Sequence, residues 1–89
     1  MTDYVTPISA DDAVNIMVGF LGGVTAGPAR AKIERLASMA TYHCDPEKLE
    51  VAACIVWIMP GNTIVLTGTK ANVEYALEIA EVVRLQTSR

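Results

Sequence analysis

Apolar positions in this chain come in blocks separated by glycine, proline and short polar residues, and the clearest pattern runs from Leu49 to Leu85. Leu49 to Met59 is an apolar run rich in β-branched residues, which predicts a long strand. Pro60-Gly61-Asn62 interrupts it as a type II turn, with proline second and glycine third. Thr63 to Thr67 resumes as a second strand and Gly68 ends it. The period then changes. Val73, Ala76, Leu77, Ala80 and Val83 recur at helical spacing, predicting a helix from about Ala71 to Leu85 with Thr69 as its cap. Glu74, Glu78 and Glu81 make the solvated side of that helix rather than a catalytic carboxylate pair.

The first half contains one firm helix, Pro28 to about Tyr42, with Ile33, Leu36, Ala37 and Ala40 as its apolar stripe. Pro28 suits a first helical position, and Asp45-Pro46 ends the segment. Met1 to Ile8 reads as extended, with Tyr4-Val5-Thr6 as a short edge strand. Ser9 to Gly23 fits two periods at once. Ser9 with Asp11 and Asp12 makes a helix start, followed by Val14, Met17, Val18 and Leu21 on one helical face. Val14, Ile16, Val18 and Phe20 also alternate as a strand would, and Gly19 disfavours a helix. The balance tips toward strand, because a lone two-stranded hairpin is marginal and a third strand makes the sheet viable. The expected architecture is a single α+β domain over residues 1–89. It has a small antiparallel sheet of two or three strands, with helices packed on one face. The order is strand or helix, then helix, strand, strand, helix.

Read as one strand, Leu49–Met59 is apolar on both faces. One face carries Leu49, Val51, Ala53, Ile55, Trp57 and Met59; the other carries Glu50, Ala52, Cys54, Val56 and Ile58. Helices packed on one side leave the other bare. The chain is 52% hydrophobic, too much for so small a core to hide, so the excess belongs to an interface. A homo-oligomer, or docking on a larger protein partner, is expected. Ile55, Val56, Trp57, Ile58 and Met59 are the interface candidates, and Trp57 with Met59 suits an interface anchor better than a pocket wall.

Charge and candidate chemistry narrow the picture mainly by exclusion. The net charge of −3, with no basic run, gives no electrostatic footprint for nucleic acid. No apolar run reaches the ~18 residues of a membrane span, and Val14 to Leu21 lacks the basic flank of a signal peptide, so a cytoplasmic setting is expected. Cys44 and Cys54 do not make a disulfide framework. The sharpest-looking motif is Gly22 to Gly27 ahead of a helix. There Gly23, Thr25 and Gly27 are candidate anion-binding positions. It matches neither established phosphate-loop pattern, and Pro28 removes one N–H donor, so a plain connector is the favoured reading. His43, Cys44 and Cys54 lack zinc-ligand spacing, so no metal and no cofactor are assigned. No catalytic residue emerges. The leading function is a non-enzymatic assembly or accessory subunit; the alternative is a small ligand- or anion-binding regulatory domain. An enzyme with an active site shared between subunits ranks third.

Asn62-Thr63-Ile64-Val65-Leu66-Thr67-Gly68 followed by Val73-Glu74-Tyr75-Ala76-Leu77-Glu78 resembles a segment of bacterial microcompartment shell proteins, in which a strand ending in glycine leads into a helix. The resemblance spans residues 49–82. In the permuted class of that family a further strand precedes the core, and Tyr4 to Ser9 is its counterpart here. The resemblance implies a β-α-β-β-α core with Ala13–Leu21 as its first strand. It also implies a cyclic hexamer with Pro60, Gly61 and Asn62 in the loop that lines its pore. The chain departs from the family in two places: Gly22–Gly27 carries no lysine near the first core helix, and no arginine stands at the N-terminal strand.

Overall fold

The computed structural model describes residues 4–87. Of the extended segment expected at Met1 to Ile8, residues 1–3 lie outside the described residues. The order of elements is β1 (Tyr4–Ile8), α1 (Ala10–Phe20), α2 (Ala26–His43), β2 (Glu47–Val51), β3 (Cys54–Ile58), β4 (Ile64–Gly68) and α3 (Lys70–Thr87). The strands form one antiparallel sheet in the order β1-β4-β3-β2. All three helices pack against a single face of it, giving a two-layer α+β slab 36 × 35 × 18 Å in extent. The core lies between the layers, where Val51, Cys54, Val56, Ile58, Ile64 and Leu66 meet residues from α1, α2 and α3.

The segment after Ser9 is a helix, which corrects the balance struck from its alternation. Ser9 caps it, its Oγ accepting from the Asp12 N–H at 3.1 Å, and Asp11 and Asp12 occupy the first turn. The buried residues are Ala13, Val14, Ile16 and Met17, a helical grouping that takes in Val14 and Ile16 of the alternating set and leaves Val18 and Phe20 half-buried. Gly19 is tolerated for a packing reason. A Cβ there would sit 2.2 Å from Ile79 Cγ2, so the glycine lets α1 lie close against α3. The sheet needs no strand from this segment, because β1 and β2 supply its edges and make it four-stranded.

Leu49–Met59 is not one strand. It folds back at Ala52-Ala53, pairing Val51 with Cys54 and Leu49 with Val56. Strands average about 5–6 residues, so an eleven-residue run was long enough to suggest two. The turn carries no glycine, asparagine or proline, and Ala52 takes a positive φ of 54°. An L-residue there is strained, so Ala52→Gly is expected to stabilise the fold by about 0.5–1 kcal/mol, after allowing for the greater freedom of glycine in the unfolded chain. A raised melting temperature is the readout.

The next hairpin follows its expected geometry. Asn62 N–H donates to Met59 O at 3.2 Å, with Pro60 second and Gly61 third at φ 90°, as a type II turn requires. Asn62 then also takes a positive φ, 69°, and Met59 N–H donates to Thr63 O at 2.8 Å to close the loop. Helix α2 begins at Ala26, two residues before Pro28, and ends at Cys44 in a left-handed cap. It buries Ala29, Ile33, Leu36 and Ala40. Helix α3 is capped by Thr69, whose Oγ1 accepts from Asn72 N–H at 3.2 Å, and buries Val73, Ala76, Ala80 and Val83.

Candidate functional site

One face of the sheet is covered by no helix among the described residues, and strand register assigns its residues. Directly opposed residues of antiparallel strands point to the same side. Val5 pairs with Thr67, Thr67 with Ile55, and Ile55 with Glu50, forming one row across all four strands. Pro7, Val65, Trp57 and Lys48 form the neighbouring row in the same way. At the centre Ile55, Trp57, Val65 and Thr67 are partly exposed; at the β1 edge Val5 and Pro7 are exposed. Lys48 and Glu50 are exposed at the β2 edge, and are the charged strand residues of these two rows.

Trp57 is the largest side chain on this face, and it is anchored. Its indole Nε1–H donates to Thr67 Oγ1 at 3.1 Å, and that hydroxyl donates to Ile55 O at 3.4 Å. The indole's one donor is thereby satisfied within the chain. What the ring still offers to a neighbour is apolar surface held in place, at little further entropic cost on docking.

The structure divides the expected interface residues between the two faces. Ile55 and Trp57 lie on the open side. Val56 and Ile58 are 0% exposed, inside the chain's own core. Met59 is half-buried where β3 enters the turn. The two face sets read from a continuous strand also recombine. The fold-back at Ala52-Ala53 places Leu49 and Val51 with Cys54, Val56 and Ile58, and brings Lys48 and Glu50 to the Ile55 and Trp57 side. Val5, Pro7, Val65 and Lys48 went unrecognised as site residues. Alternation within β4 marks Val65, but Val5 and Pro7 join the face only because β1 pairs with β4.

The other candidate positions lie apart from this face. Pro60, Gly61 and Asn62 form an exposed turn. Thr25 stands at the N-cap of α2 without a side-chain cap hydrogen bond, and Gly27 lies within the first turn of α2. Gly23 takes a positive φ of 84° in the α1–α2 connector. Arg30, the nearest guanidinium in sequence, pairs with Asp11. Two shallow grooves run along α2. One, about 480 Å³, lies among Glu34, Ser38, Thr41, Tyr42 and Asn62; the other, about 440 Å³, lies among Pro28, Ala31, Lys32 and Arg35. Neither includes Trp57.

His43 and Cys44 are exposed at the end of α2, where the His43 ring meets Tyr42 edge-on at 5.0 Å. Cys54 is a free thiol in the core, and burial pushes its pKa up, which keeps it protonated and unsuited to nucleophilic work. No three His, Cys, Asp or Glu side chains converge among the described residues. Glu74, Glu78 and Glu81 are exposed along α3, and the Arg84 guanidinium beside Glu81 holds that carboxylate below its ordinary range. No helix is long and apolar enough to cross a membrane among the described residues.

Comparisons with protein-family models, with curated proteins and with solved structures find no match to this chain. The strand that the shell-protein resemblance implies at Ala13–Leu21 is helix α1, and the observed order is β-α-α-β-β-β-α. What the open face can do therefore follows from its own chemistry.

Proposed function

We propose that the protein is a non-enzymatic assembly or accessory subunit, and that it works as a homo-oligomer joined through the open face of its sheet. One observation carries this reading: a partly exposed apolar centre of Ile55, Trp57 and Val65 on a sheet whose helices all lie on the opposite side. Covered-face residues stabilise the monomer; open-face residues do so only when something packs on them. Removing this surface from water contributes about 25 cal/mol per Å², a useful increment for a chain of this size, whose own core is small.

Light scattering over a range of concentrations tests it. The wild-type mass should rise to a multiple of 9.5 kDa with concentration. Trp57→Lys should remain near the monomer mass while keeping a wild-type far-ultraviolet circular dichroism spectrum. Because Trp57 is the sole tryptophan, dilution of the wild type should also shift its fluorescence to the red as the ring meets water. A protein that stays at monomer mass at high micromolar concentration overturns the proposal.

A further inference from the structure

We propose that the partner on the open face is a second copy of the chain, related by a two-fold axis that lies in the plane between the sheets and runs perpendicular to the strands. This rests on the homo-oligomeric reading above and specifies its geometry. The placement of charge sets this axis. Lys48 and Glu50 stand side by side on β2, about 7 Å apart along the strand, at one edge of an otherwise uncharged pair of rows. Lys48 belongs to the row Pro7-Val65-Trp57-Lys48, and Glu50 to the row Val5-Thr67-Ile55-Glu50.

A two-fold interface must be self-complementary: if one residue meets another, the reverse contact is made as well. With the axis between the two rows, each row meets the other row of the second copy. Lys48 then faces Glu50 and Glu50 faces Lys48. Trp57 packs over Ile55, Val65 over Thr67, and Val5 against Pro7. Each charge has one partner, and the Lys48–Glu50 pair forms twice by symmetry. The two sheets lie with their strands aligned, crossing at about the 30° that sheet twist imposes on face-to-face packing.

Other placements of the axis fare worse. An axis parallel to the strands exchanges the sheet edges, setting Lys48 and Glu50 against Val5 and Pro7, and so desolvating unpaired charges. An axis moved by half the row spacing, onto one of the two rows, sets Lys48 over Lys48, or Glu50 over Glu50. Like charges in contact across an interface are costly, and electrostatic matching of this sort selects one register among several that are equally apolar. The face is four strands wide and about five residues long, which places it at the small end of the range for specific interfaces. A dimer that exchanges at micromolar concentration is expected.

Charge reversal tests the axis. Lys48→Glu sets two acidic residues against each other at both symmetric contacts, and Glu50→Lys sets two basic ones. Each should weaken dimerisation by about tenfold or more at low salt, and by less as salt screens the contact. The double variant Lys48→Glu/Glu50→Lys should restore association to near the wild-type constant. Sedimentation equilibrium at two ionic strengths measures all four proteins, with thermal melts confirming that each is folded. Single reversals that leave the constant unchanged, or a double variant that fails to recover, overturn this axis while a wild-type oligomer preserves the assembly reading. A monomeric wild type overturns both.

Discussion

Val56→Lys is expected to unfold the chain, although Trp57→Lys, one residue along the same strand, leaves it folded. Val56 is 0% exposed and lies between Leu49 and Leu66 in the sheet, facing the helices. Losing a buried valine removes roughly 1.5–3 kcal/mol of apolar burial. The ammonium must then either stay charged without a partner or give up its proton, and both cost further. Domains of this size have about 0.05–0.15 kcal/mol of stability per residue, so a change of this kind consumes most of the total. Circular dichroism should show loss of cooperative thermal unfolding. Retention of the wild-type melting temperature would mean that the helices do not cover this side of the sheet. The contrast with Trp57→Lys makes the pair informative: adjacent apolar positions in the sequence should give an unfolded chain in one case and a folded, dissociated one in the other.

Gly19→Ala should be destabilising, against the usual helix preference. In an exposed helix this change gains about 1 kcal/mol. Here the added Cβ meets Ile79 Cγ2 at 2.2 Å and Val83 Cγ2 at 3.3 Å. Both neighbours are β-branched and stiff at χ1, so they yield mainly by moving α3 away from α1. Overpacking of this kind costs about 1–3 kcal/mol, which outweighs the helical gain and should lower the melting temperature by several degrees. Gly22→Ala serves as the control, because its Cβ would meet nothing within 4 Å. Equal melting temperatures for Gly19→Ala and wild type would show that α1 and α3 are less closely packed than described.

The two long helices were legible because their signals agree across levels. For α3, the cap at Thr69 and the buried series Val73, Ala76, Ala80 and Val83 are the residues that spacing marks. For α2, the buried Ile33, Leu36 and Ala40 match, and only the start differs, because Ala26 and Gly27 carry no strong start signal of their own. Helix α1 was ambiguous for a physical reason. Val14 and Val18 satisfy both periods, and Gly19 speaks against a helix until α3 is packed beside it. The open face was half legible: Ile55 and Trp57 were named, while Lys48, Val65, Val5 and Pro7 depend on which strands become neighbours.

Alternation and composition by themselves determined that this chain is an α+β domain with helices on one side of an antiparallel sheet and apolar surface left over. They could not say which side. A strand pattern marks two faces without ranking them, and Leu49–Met59 hid a further ambiguity, since Ala52-Ala53 turns the chain without any residue that favours turning. A two-residue fold-back pairs odd positions with even ones, so the apparent faces of the continuous run exchange members at that point. Only the tertiary structure decided it. Once Val51 and Cys54 pair, Val56, Ile58, Ile64 and Leu66 form the continuous surface that α1, α2 and α3 cover together, and Trp57 is left facing outward. Which residues share a face is a property of pairing between distant segments, and no local pattern contains it.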